Sequence, residues 1–534
     1  MTSTLLKGTL YRTVAAAAFI AATASVTSGA AFAQSITIGS EGAIPPLDPH
    51  RVSGTVALRV IDAIYEPLVR EDLSEATGTA PEIVPALAED FSISDDGLTY
   101  RFQIREGVSF HDGSELSADA VQANFDRLMD RESSFFDERA SGNLAFITNW
   151  IDHTEVDSDG RFVMVLKRPF SGMTRLLTDR RMAIISPAAM DANPGDELGF
   201  APAGTGPFML DVFEQGQSVS LQRNADYWGG MPGLESIEFR PISDPSAMAF
   251  AMITDQIDVI PSASAEQVAQ LSSEDNLEIQ YTDPANSYFI RLNTRADYTD
   301  NPEFRQALNY AVNREAIGAL FGGQASPLGS PVPIANEVRA GSENYVTEYA
   351  YDLEKAQELL SQSGVSLPVT LNILSPNSGP GFGLATQLMT LVQQDLSNIG
   401  VDLQVQYMEF SALLSATRAG LADDVHGDYN GWTTGADAGY WLERMFGGNH
   451  QPPNGVNRGW YENAQVDELF TQGRAAVVPE EILTTYAEAS GMIAEDAPWI
   501  FLYQDRLPRV IRASISGIEP AGSVYFNYAN ITVD

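Results

Sequence analysis

Apolar residues recur along the chain with two different periods. SITIGS (35–40) alternates apolar and polar positions, and 162–166 does the same after a turn at Gly160, so both segments are predicted to be strands. TVALRVIDAIYEPLVR (55–70) instead repeats its apolar positions with helical spacing. Strands and helices are therefore mixed in the first half of the chain.

The second half carries stronger helical patterns. NPEFRQALNYAVNREAIGALF (301–321) is predicted to be one helix, because Asn301 suits the N-cap and Pro302 the first helical position. A further helix is predicted over 466–495, with a break near Pro479. Strands alternating with helices of this length predict an α/β fold.

Composition narrows the possible partners. The chain has 534 residues, 44% of them hydrophobic, so it can build large cores in more than one unit. Its formal net charge is −40, which argues against nucleic acid and anionic membranes as partners. Only three residues are lysine, which fits either a saline habitat or a biased base composition.

The N-terminus has the pattern of an export signal. Lys7 and Arg12 precede a short apolar run, and Ala31-Phe32-Ala33 matches a cleavage site, so 1–33 is predicted to be a signal peptide. The apolar run is short for a membrane span. Because the chain has no cysteine, it lacks disulfides, thiolate ligands and a cysteine for lipid anchoring. We expect a soluble periplasmic protein.

The segment SFHDGSELSADA (109–120) can be explained by chemistry or by local structure. A metal or catalytic site would use His111 and Asp112, but no second histidine or cysteine lies at ligand spacing. Structurally, Asp112-Gly113 suits a turn, Ser117 a helix N-cap and Asp119 the first helical turn. We favour the structural interpretation.

Other enzyme motifs are weak. No serine-hydrolase motif is placed correctly, and GPGFG (379–383) has the wrong spacing for a dinucleotide site. Asp95-Asp96 and Asp423-Asp424 are more typical of solvated turns than of glycosidase carboxylates. The residues therefore predict no enzyme, no cofactor and no metal.

Several segments resemble one known family. The long block LTYRFQIREGVSFHDGSELSADAVQANFDRL resembles the signature region of the family 5 extracellular solute-binding proteins, the periplasmic receptors of peptide and nickel ABC importers. Further blocks match it in order: IDAIYEPLV, GTGPFML, LQRNADYWGGMPGLESIEFRPI, FIRLNT and FRQALNYAVNREAI. The resemblance covers nearly all of residues 35–510.

The resemblance implies a two-lobed Venus-flytrap fold that closes on its ligand. Lobe I is expected to span 34–285 with an inserted subdomain at about 55–200, lobe II to span 286–499, and 500–534 to return to lobe I. The implied function is capture of a small solute, foremost a di- or oligopeptide, and its delivery to ABC permease subunits. The protein is expected to act as a monomer.

The second lobe supplies one set of candidate ligand residues. In peptide-binding relatives a Gly-Trp pair precedes an aspartate that binds the peptide amino group; Trp432 matches, but the aspartate position is Gly435, and only Asp437 lies near. Aromatic residues after it can form a wall around the ligand or belong to the core. The candidates here are Trp432, Thr433, Thr434, Asp437, Tyr440 and Trp441.

The first lobe and the proposed hinge supply the others. Arg180 and Arg181 are candidates for holding a ligand carboxylate, with an ion pair as the alternative. The remaining candidates follow the first strand, line the cleft or flank the hinge: Glu41, Gly42, Phe135, Asn286 and Tyr288.

The altered loop after Trp432 leaves rival ligands open, namely a nickel chelate, an opine-like conjugate, a haem or an oligosaccharide. An exported hydrolase and a chaperone-like role are the other classes of function.

Overall fold

The structure is a computed structural model that describes residues 34–76, 79–341, 348–377, 382–433 and 437–534. The predicted signal peptide (1–33) and residues 379–381 of the glycine segment lie outside the described residues. Within these ranges, no helix is both long enough and apolar enough to cross a membrane.

The described residues form strands grouped into three main sheets and two small ones. The strands are β1 (Ser35–Ser40), β2 (Val69–Glu71), β3 (Ile83–Pro85), β4 (Ala88–Ile93), β5 (Thr99–Ile104), β6 (Ile151–Val156), β7 (Phe162–Leu166), β8 (Phe208–Glu214), β9 (Ser218–Arg223), β10 (Ser236–Pro241), β11 (Val259–Ile260), β12 (Leu277–Thr282), β13 (Asn286–Leu292), β14 (Ala325–Pro327), β15 (Val369–Pro376), β16 (Val401–Met408), β17 (Gly427–Thr433), β18 (Trp499–Asp505), β19 (Leu507–Arg512), β20 (Ile515–Ser516) and β21 (Thr532–Val533).

Helices cover the sheets. They are α1 (Thr55–Ile64), α2 (Ala118–Met129), α3 (Glu138–Thr148), α4 (Met173–Leu176), α5 (Pro187–Ala192), α6 (Pro245–Ile253), α7 (Ala265–Leu271), α8 (Pro302–Ala311), α9 (Arg314–Leu320), α10 (Glu337–Gly341), α11 (Leu353–Ser363), α12 (Ala385–Ser397), α13 (Phe410–Ala416), α14 (Tyr440–Phe446), α15 (Ala464–Ala475) and α16 (Pro479–Asp496).

The first sheet has seven strands in the order β12-β19-β11-β1-β10-β9-β8. Strand β1 lies inside it and pairs in parallel with β10 and β11. The alternating apolar residues Ile36 and Ile38 are buried, as the SITIGS pattern predicts, in a core shared with α1. We refer to 34–282 together with 507–534 as lobe I.

The second sheet has six strands in the order β14-β18-β13-β17-β15-β16. Every residue of β13 is buried, because the strand lies between two neighbours and beneath helices of the second lobe. Strands β15 and β16 pair in parallel with α12 between them, which is the α/β unit that the sequence predicts. We refer to 286–505 as lobe II.

A smaller antiparallel sheet, β4-β5-β7-β6, belongs to the subdomain inserted into lobe I. Its own core extends from Leu68 to Ile184 and includes Phe102, Phe125 and Phe162. Helix α1, which was expected to lie in this insertion, packs instead against the seven-stranded sheet.

The segment around His111 has the structural role that its sequence favours. Ser117 accepts a hydrogen bond from the backbone N–H of Ala120 and so caps α2. The Asp112 carboxylate accepts hydrogen bonds from the Ser114 backbone N–H and hydroxyl. The His111 Nε2 lies 3.0 Å from the Gly206 carbonyl. Burial lowers the pKa of His111, so its imidazole is neutral near pH 7.

The helix predicted over 301–321 is in fact two helices. Asn301 caps α8 and Pro302 occupies its first turn, as predicted. The chain then turns at Asn313, whose side chain accepts a hydrogen bond from the Ala316 N–H and caps α9. The buried Arg314 guanidinium donates hydrogen bonds to backbone carbonyl groups at the break. In a continuous helix, these carbonyls would accept hydrogen bonds from backbone N–H groups instead.

The return to lobe I lies later than the predicted residue 500. Strand β18 pairs with β13 and β14 in the second sheet, and the chain enters the seven-stranded sheet only at β19. The apolar run PWIFLYQ reads as a crossing strand from sequence, but its side chains are buried in lobe II.

Candidate functional site

Lobes I and II are joined by two short connections and also meet at a separate contact. Residues 283–285 and Arg506 connect the two large sheets. Elsewhere, the Phe170 and Tyr440 rings meet edge to face with centroids 6.4 Å apart. The Ser171 N–H donates to the Arg474 carbonyl across the same boundary at 3.1 Å. The structure is therefore a form in which the lobes touch.

A charged group next to this contact fastens the two lobes, and we call it the interlobe latch: Gly172, Arg175, Glu337 and Asp437. The Arg175 guanidinium of lobe I donates to the Glu337 carboxylate of lobe II at 2.6 and 2.8 Å. The same carboxylate accepts a hydrogen bond from the Ala438 N–H. Because Arg175 is buried, this ion pair is shielded from solvent.

Asp437 is a buried cap rather than a free carboxylate. Its Oδ1 accepts hydrogen bonds from the Gly439 and Tyr440 N–H groups at the start of α14. Burial, followed by the charge of Glu337, raises the pKa of Asp437 to about 7. Gly172 lies so close that a Cβ there would collide with Asp437 Oδ2. In this arrangement Asp437 is buried, and its Oδ1 already accepts hydrogen bonds from the start of α14.

A cavity of about 580 Å³ lies beside the latch and takes its walls from both lobes. Lobe I contributes residues that precede β6 or follow β7 of its small sheet: Trp150, Arg168 and Phe170. Lobe II contributes α14, the loop after it and two further arginines: Arg418, Tyr440, Glu443, Arg444, Asn449, His450, Pro453, Asn454, Gly455, Val456, Arg458 and Arg474. A cavity of this size and position suits a small ligand held between the lobes.

The charges around this cavity are mostly positive. Among the described residues that line it are five arginines, and Glu443 is the one acidic residue in that set. Glu443 is buried, accepts a hydrogen bond from Arg474 at 2.6 Å and another from the Tyr486 hydroxyl. Burial raises the pKa of Glu443, whereas Arg474 opposes that rise.

The aromatic residues predicted to form a ligand wall have different environments. Tyr440 lines the cavity, and its hydroxyl accepts a hydrogen bond from Arg444 at 2.6 Å. Trp432 is half-buried, and the Arg444 guanidinium lies 5.2 Å from its ring centroid. Trp441 is 1% exposed and belongs to the core of lobe II, so it is not part of the wall. Its position on α14 places its side chain in the core of lobe II rather than in the cavity.

Two neighbouring candidates lie at the edge of the described residues. Thr433 ends β17 opposite Asn286, and its side chain lies outside the described part of the chain. Thr434 lies wholly outside it.

Arg180 and Arg181, the two arginines predicted to hold a ligand, form ion pairs within lobe I instead. Arg180 is buried and pairs with Asp62 at 3.1 Å and with Glu71 at 2.8 Å. Arg181 pairs with Asp179 and lies over the Phe146 ring. The ion-pair alternative is thus what the structure shows.

The other lobe I candidates also lie away from the arginine-lined cavity. Glu41 pairs with the buried Arg59 at 2.8 Å, while Gly42 accepts a hydrogen bond from Ser40 and has open space around its Cα. Phe135 lines a second cavity, of about 510 Å³, whose lining residues all belong to lobe I.

Asn286 and Tyr288 lie at the start of the strand that enters lobe II. The side-chain Oδ1 of Asn286 accepts a hydrogen bond from the Asp505 backbone N–H at 2.8 Å, which ties β13 to the end of β18. Tyr288 stacks on Tyr503 with ring centroids 4.5 Å apart. Burial raises the pKa of Asp505 to about 6. Asn286 and Tyr288 therefore strengthen the contact between β13 and β18, and neither residue lines the cavity.

Sequence reasoning missed the arginines of the cavity. Arg168 lies far along the chain from Arg418, Arg444, Arg458 and Arg474. Arginine supplies nearly all the basic residues of this chain, so an arginine by itself carried no signal. The clustering of Arg444 and Arg458 around the Gly- and Pro-rich loop GGNHQPPNGVN was the one available clue, because such loops often carry binding residues.

Comparison with known proteins gives consistent relatives over almost the whole chain. A model of the bacterial extracellular solute-binding proteins, family 5 Middle, matches residues 82–454. The glutathione-binding protein GsiB of Escherichia coli O1:K1 / APEC is 31% identical over 501 residues, covering 93% of this chain and 94% of that protein. These relatives are binding proteins of transporters rather than enzymes.

Solved structures share the fold. HbpA2 from Haemophilus parasuis superposes with a TM-score of 0.85 at 21% identity, covering 94% of this chain and all of that one (100%). The periplasmic binding protein DppA from Helicobacter pylori, in complex with the peptide STSA, gives a TM-score of 0.68 at 25% identity, covering 93% and 98%. The two-lobed fold predicted from the sequence is confirmed.

Proposed function

The chain belongs to the bacterial extracellular solute-binding proteins of family 5, and we propose that it closes on a short peptide or peptide-like solute in the arginine-lined cavity. As an ABC importer receptor, it presents the bound solute to the permease subunits of its transporter. The closed, ligand-filled form is the one that the permease recognises.

The observation that carries this proposal is the cavity lined by both lobes. Phe170 and Tyr440 touch across the lobe boundary beside it, and its volume of about 580 Å³ lies within the range of roughly 300–1,000 Å³ usual for small-ligand sites. A ligand that contacts both walls stabilises the closed form by contacts that the open form lacks. Binding of the ligand and closure of the lobes are then coupled.

The relatives support a ligand of peptide size. GsiB is named for glutathione, a tripeptide, and DppA holds the tetrapeptide STSA. Glutathione is therefore the first solute to test. The nickel chelate, opine-like conjugate, haem and oligosaccharide considered from sequence are the alternatives within the same receptor class.

We propose the cellular location and the oligomeric state from the first 33 residues and the composition. Cleavage before Gln34 releases a monomer into the periplasm, with no lipid anchor because no cysteine is present. The strongly negative charge makes nucleic acid an unsuitable partner. We assign no catalytic activity to the protein.

Native mass spectrometry of protein purified gently from a periplasmic extract tests this proposal directly. We expect a bound mass that matches a peptide or a peptide-like solute and is released intact on denaturation. Thermal shift and calorimetry with glutathione and a panel of short peptides then measure the affinity. A bound sugar or haem, or turnover of the added peptides, would refute the peptide-receptor assignment.

A further inference from the structure

The interlobe latch contains a carboxylate that has no basic partner. Asp437 is 4% exposed, and within the described residues no lysine, arginine or histidine nitrogen lies within 4.0 Å of its carboxylate. Its Oδ1 accepts hydrogen bonds from the Gly439 and Tyr440 N–H groups. Because these donors are neutral, an ionised Asp437 would be a buried charge without a counter-ion.

Lobe I covers this carboxylate at the lobe boundary. The second oxygen of Asp437, Oδ2, faces Gly172, where an added Cβ would collide with it. The neighbouring Ser171 N–H donates a hydrogen bond to the Arg474 carbonyl of lobe II, which holds this segment of lobe I against lobe II. Separation of the lobes would withdraw the segment and let water reach Oδ2.

The ion pairs of the lobe boundary are already short of positive charge. Arg175 donates to Glu337 at 2.6 and 2.8 Å and lies 3.6 Å from Glu71. Glu71 also pairs with Arg180, which pairs in turn with Asp62. This chain of ion pairs has two arginines for three carboxylates, so it has no positive charge to spare for a fourth.

On the lobe II side, the groups next to Asp437 are a phenol and an ion pair. The Tyr486 ring of α16 packs against Gly439. Its hydroxyl donates to the Glu443 carboxylate of α14, which also pairs with Arg474. Burial raises the pKa of Tyr486, so the phenol stays neutral. These groups leave Asp437 without a positive charge of its own.

Closure changes how firmly Asp437 holds a proton. In the closed arrangement burial, followed by the charge of Glu337, raises its pKa to about 7, although Arg175 opposes that rise. Because burial is the largest of these causes, replacing lobe I by water should return the pKa toward the ordinary 3.8. Glu337 stays beside Asp437 in lobe II, but water screens its charge. The closed form therefore binds more protons than the open form between these two pH values.

On the basis of the proposed function, in which the lobes close on a solute, we propose that closure is coupled to uptake of a proton by Asp437. The proton sits on a carboxylate that lobe I covers with Gly172, so opening the lobes releases it to water. Acidification then favours the closed form and capture, whereas a rise in pH favours opening. Since Asp437 does not line the arginine-lined cavity, this coupling acts on closure and not on the choice of solute.

Distances between two spin labels, one on each lobe, measure the closed fraction without any ligand. The chain has no cysteine, so Gly142→Cys in α3 and Gln394→Cys in α12 introduce exposed labelling sites in lobes I and II. We expect the ratio of closed to open molecules of the mature protein to fall by up to about 10-fold per pH unit as pH rises toward about 7, and then to stay level. A ratio that is the same on both sides of this pH would overturn the coupling.

Variants locate the effect in the latch. Asp437→Asn keeps an oxygen for the α14 N–H groups but takes up no proton, so its closed fraction should not depend on pH in this range. Glu337→Gln should move the pH dependence to lower pH, because it removes the neighbouring charge. Asp423→Asn, which changes an exposed lobe II carboxylate, should behave like the wild type. If Asp437→Asn kept the wild-type pH dependence, Asp437 would not be the proton acceptor.

Calorimetry with glutathione separates the coupling from the proposed function. In two buffers of different ionisation enthalpy at about pH 6, binding should take up about one proton in the wild type and none in Asp437→Asn. Binding without proton uptake would overturn the coupling and leave the peptide receptor intact. Conversely, pH-dependent spin-label distances in a protein that binds neither glutathione nor any short peptide would support the coupling and refute the proposed solute.

Discussion

Replacing Asp437 by asparagine should change how the stability of this protein depends on pH. The Asp437 pKa is raised to about 7 in the folded protein, against 3.8 for an ordinary aspartate, because burial and Glu337 oppose its charge. A group with a raised carboxyl pKa binds more protons in the folded state than in the unfolded state. Stability should therefore fall as pH rises from about 4 to about 7 and then stay level.

The size of the effect follows from the shift. One unit of pKa corresponds to about 1.4 kcal/mol, so ionising buried Asp437 costs the folded state on the order of 4 kcal/mol. The Asp437→Asn side chain keeps an oxygen for the α14 N–H groups but has no charge to repel Glu337. We expect the variant to melt at a higher temperature than the wild type above about pH 7, and at a similar temperature near pH 4.

Thermal unfolding followed by circular dichroism across this pH range measures the difference. Asp423→Asn is the control, because Asp423 is an exposed lobe II carboxylate and its removal should shift the curve little at any pH. If the melting temperatures of wild type and Asp437→Asn differ by the same amount at all pH values, the carboxylate does not titrate as the geometry requires.

Three further substitutions test the placement of particular side chains. Arg180→Ala should destabilise the protein by about 3–5 kcal/mol in urea unfolding, because Asp62 and Glu71 lose their buried partner, while ligand affinity per folded molecule stays unchanged. Trp441→Ala should cost about 3–5 kcal/mol by the same measurement, as expected for a core tryptophan; a loss under about 1 kcal/mol would contradict its burial. Gly172→Ala should keep the lobes apart, because its Cβ would collide with Asp437; small-angle scattering should show a larger radius of gyration with ligand than the wild type has. Gly142→Ala, where an added Cβ meets nothing within 4 Å, should scatter like the wild type.

Local signals in the sequence gave reliable predictions. Ser117 and Asn301 cap helices because a cap needs only the next three residues of the chain. The break at Pro479 likewise separates α15 from α16. These features depend on neighbours in sequence, so a single chain is enough to predict them.

Features that depend on distant partners were not predictable in the same way. From sequence alone, Arg180 is a candidate for binding a ligand. In the fold, Asp62 and Glu71, both distant in sequence, lie beside it and pair with it. Conversely, nothing local distinguishes Arg168 and Arg474, which line the same cavity only because the fold brings the two lobes together. The family resemblance predicted the two lobes, but the residues between them depend on how this chain closes.

The charges around the arginine-lined cavity also explain why closure should depend on a bound solute. Arg168 belongs to lobe I, whereas Arg444 and Arg474 belong to lobe II. Among the described residues that line the cavity, Glu443 is the one acid, and it already pairs with Arg474. Closing empty therefore brings like charges together around the cavity, whereas a solute that contacts both walls adds interactions that the open form lacks. The Arg175–Glu337 latch is present in either case and cannot make this distinction. The arginine-lined cavity is thus the element that makes the closed population depend on the solute, because a ligand shifts a conformational equilibrium only through interactions that differ between the two states.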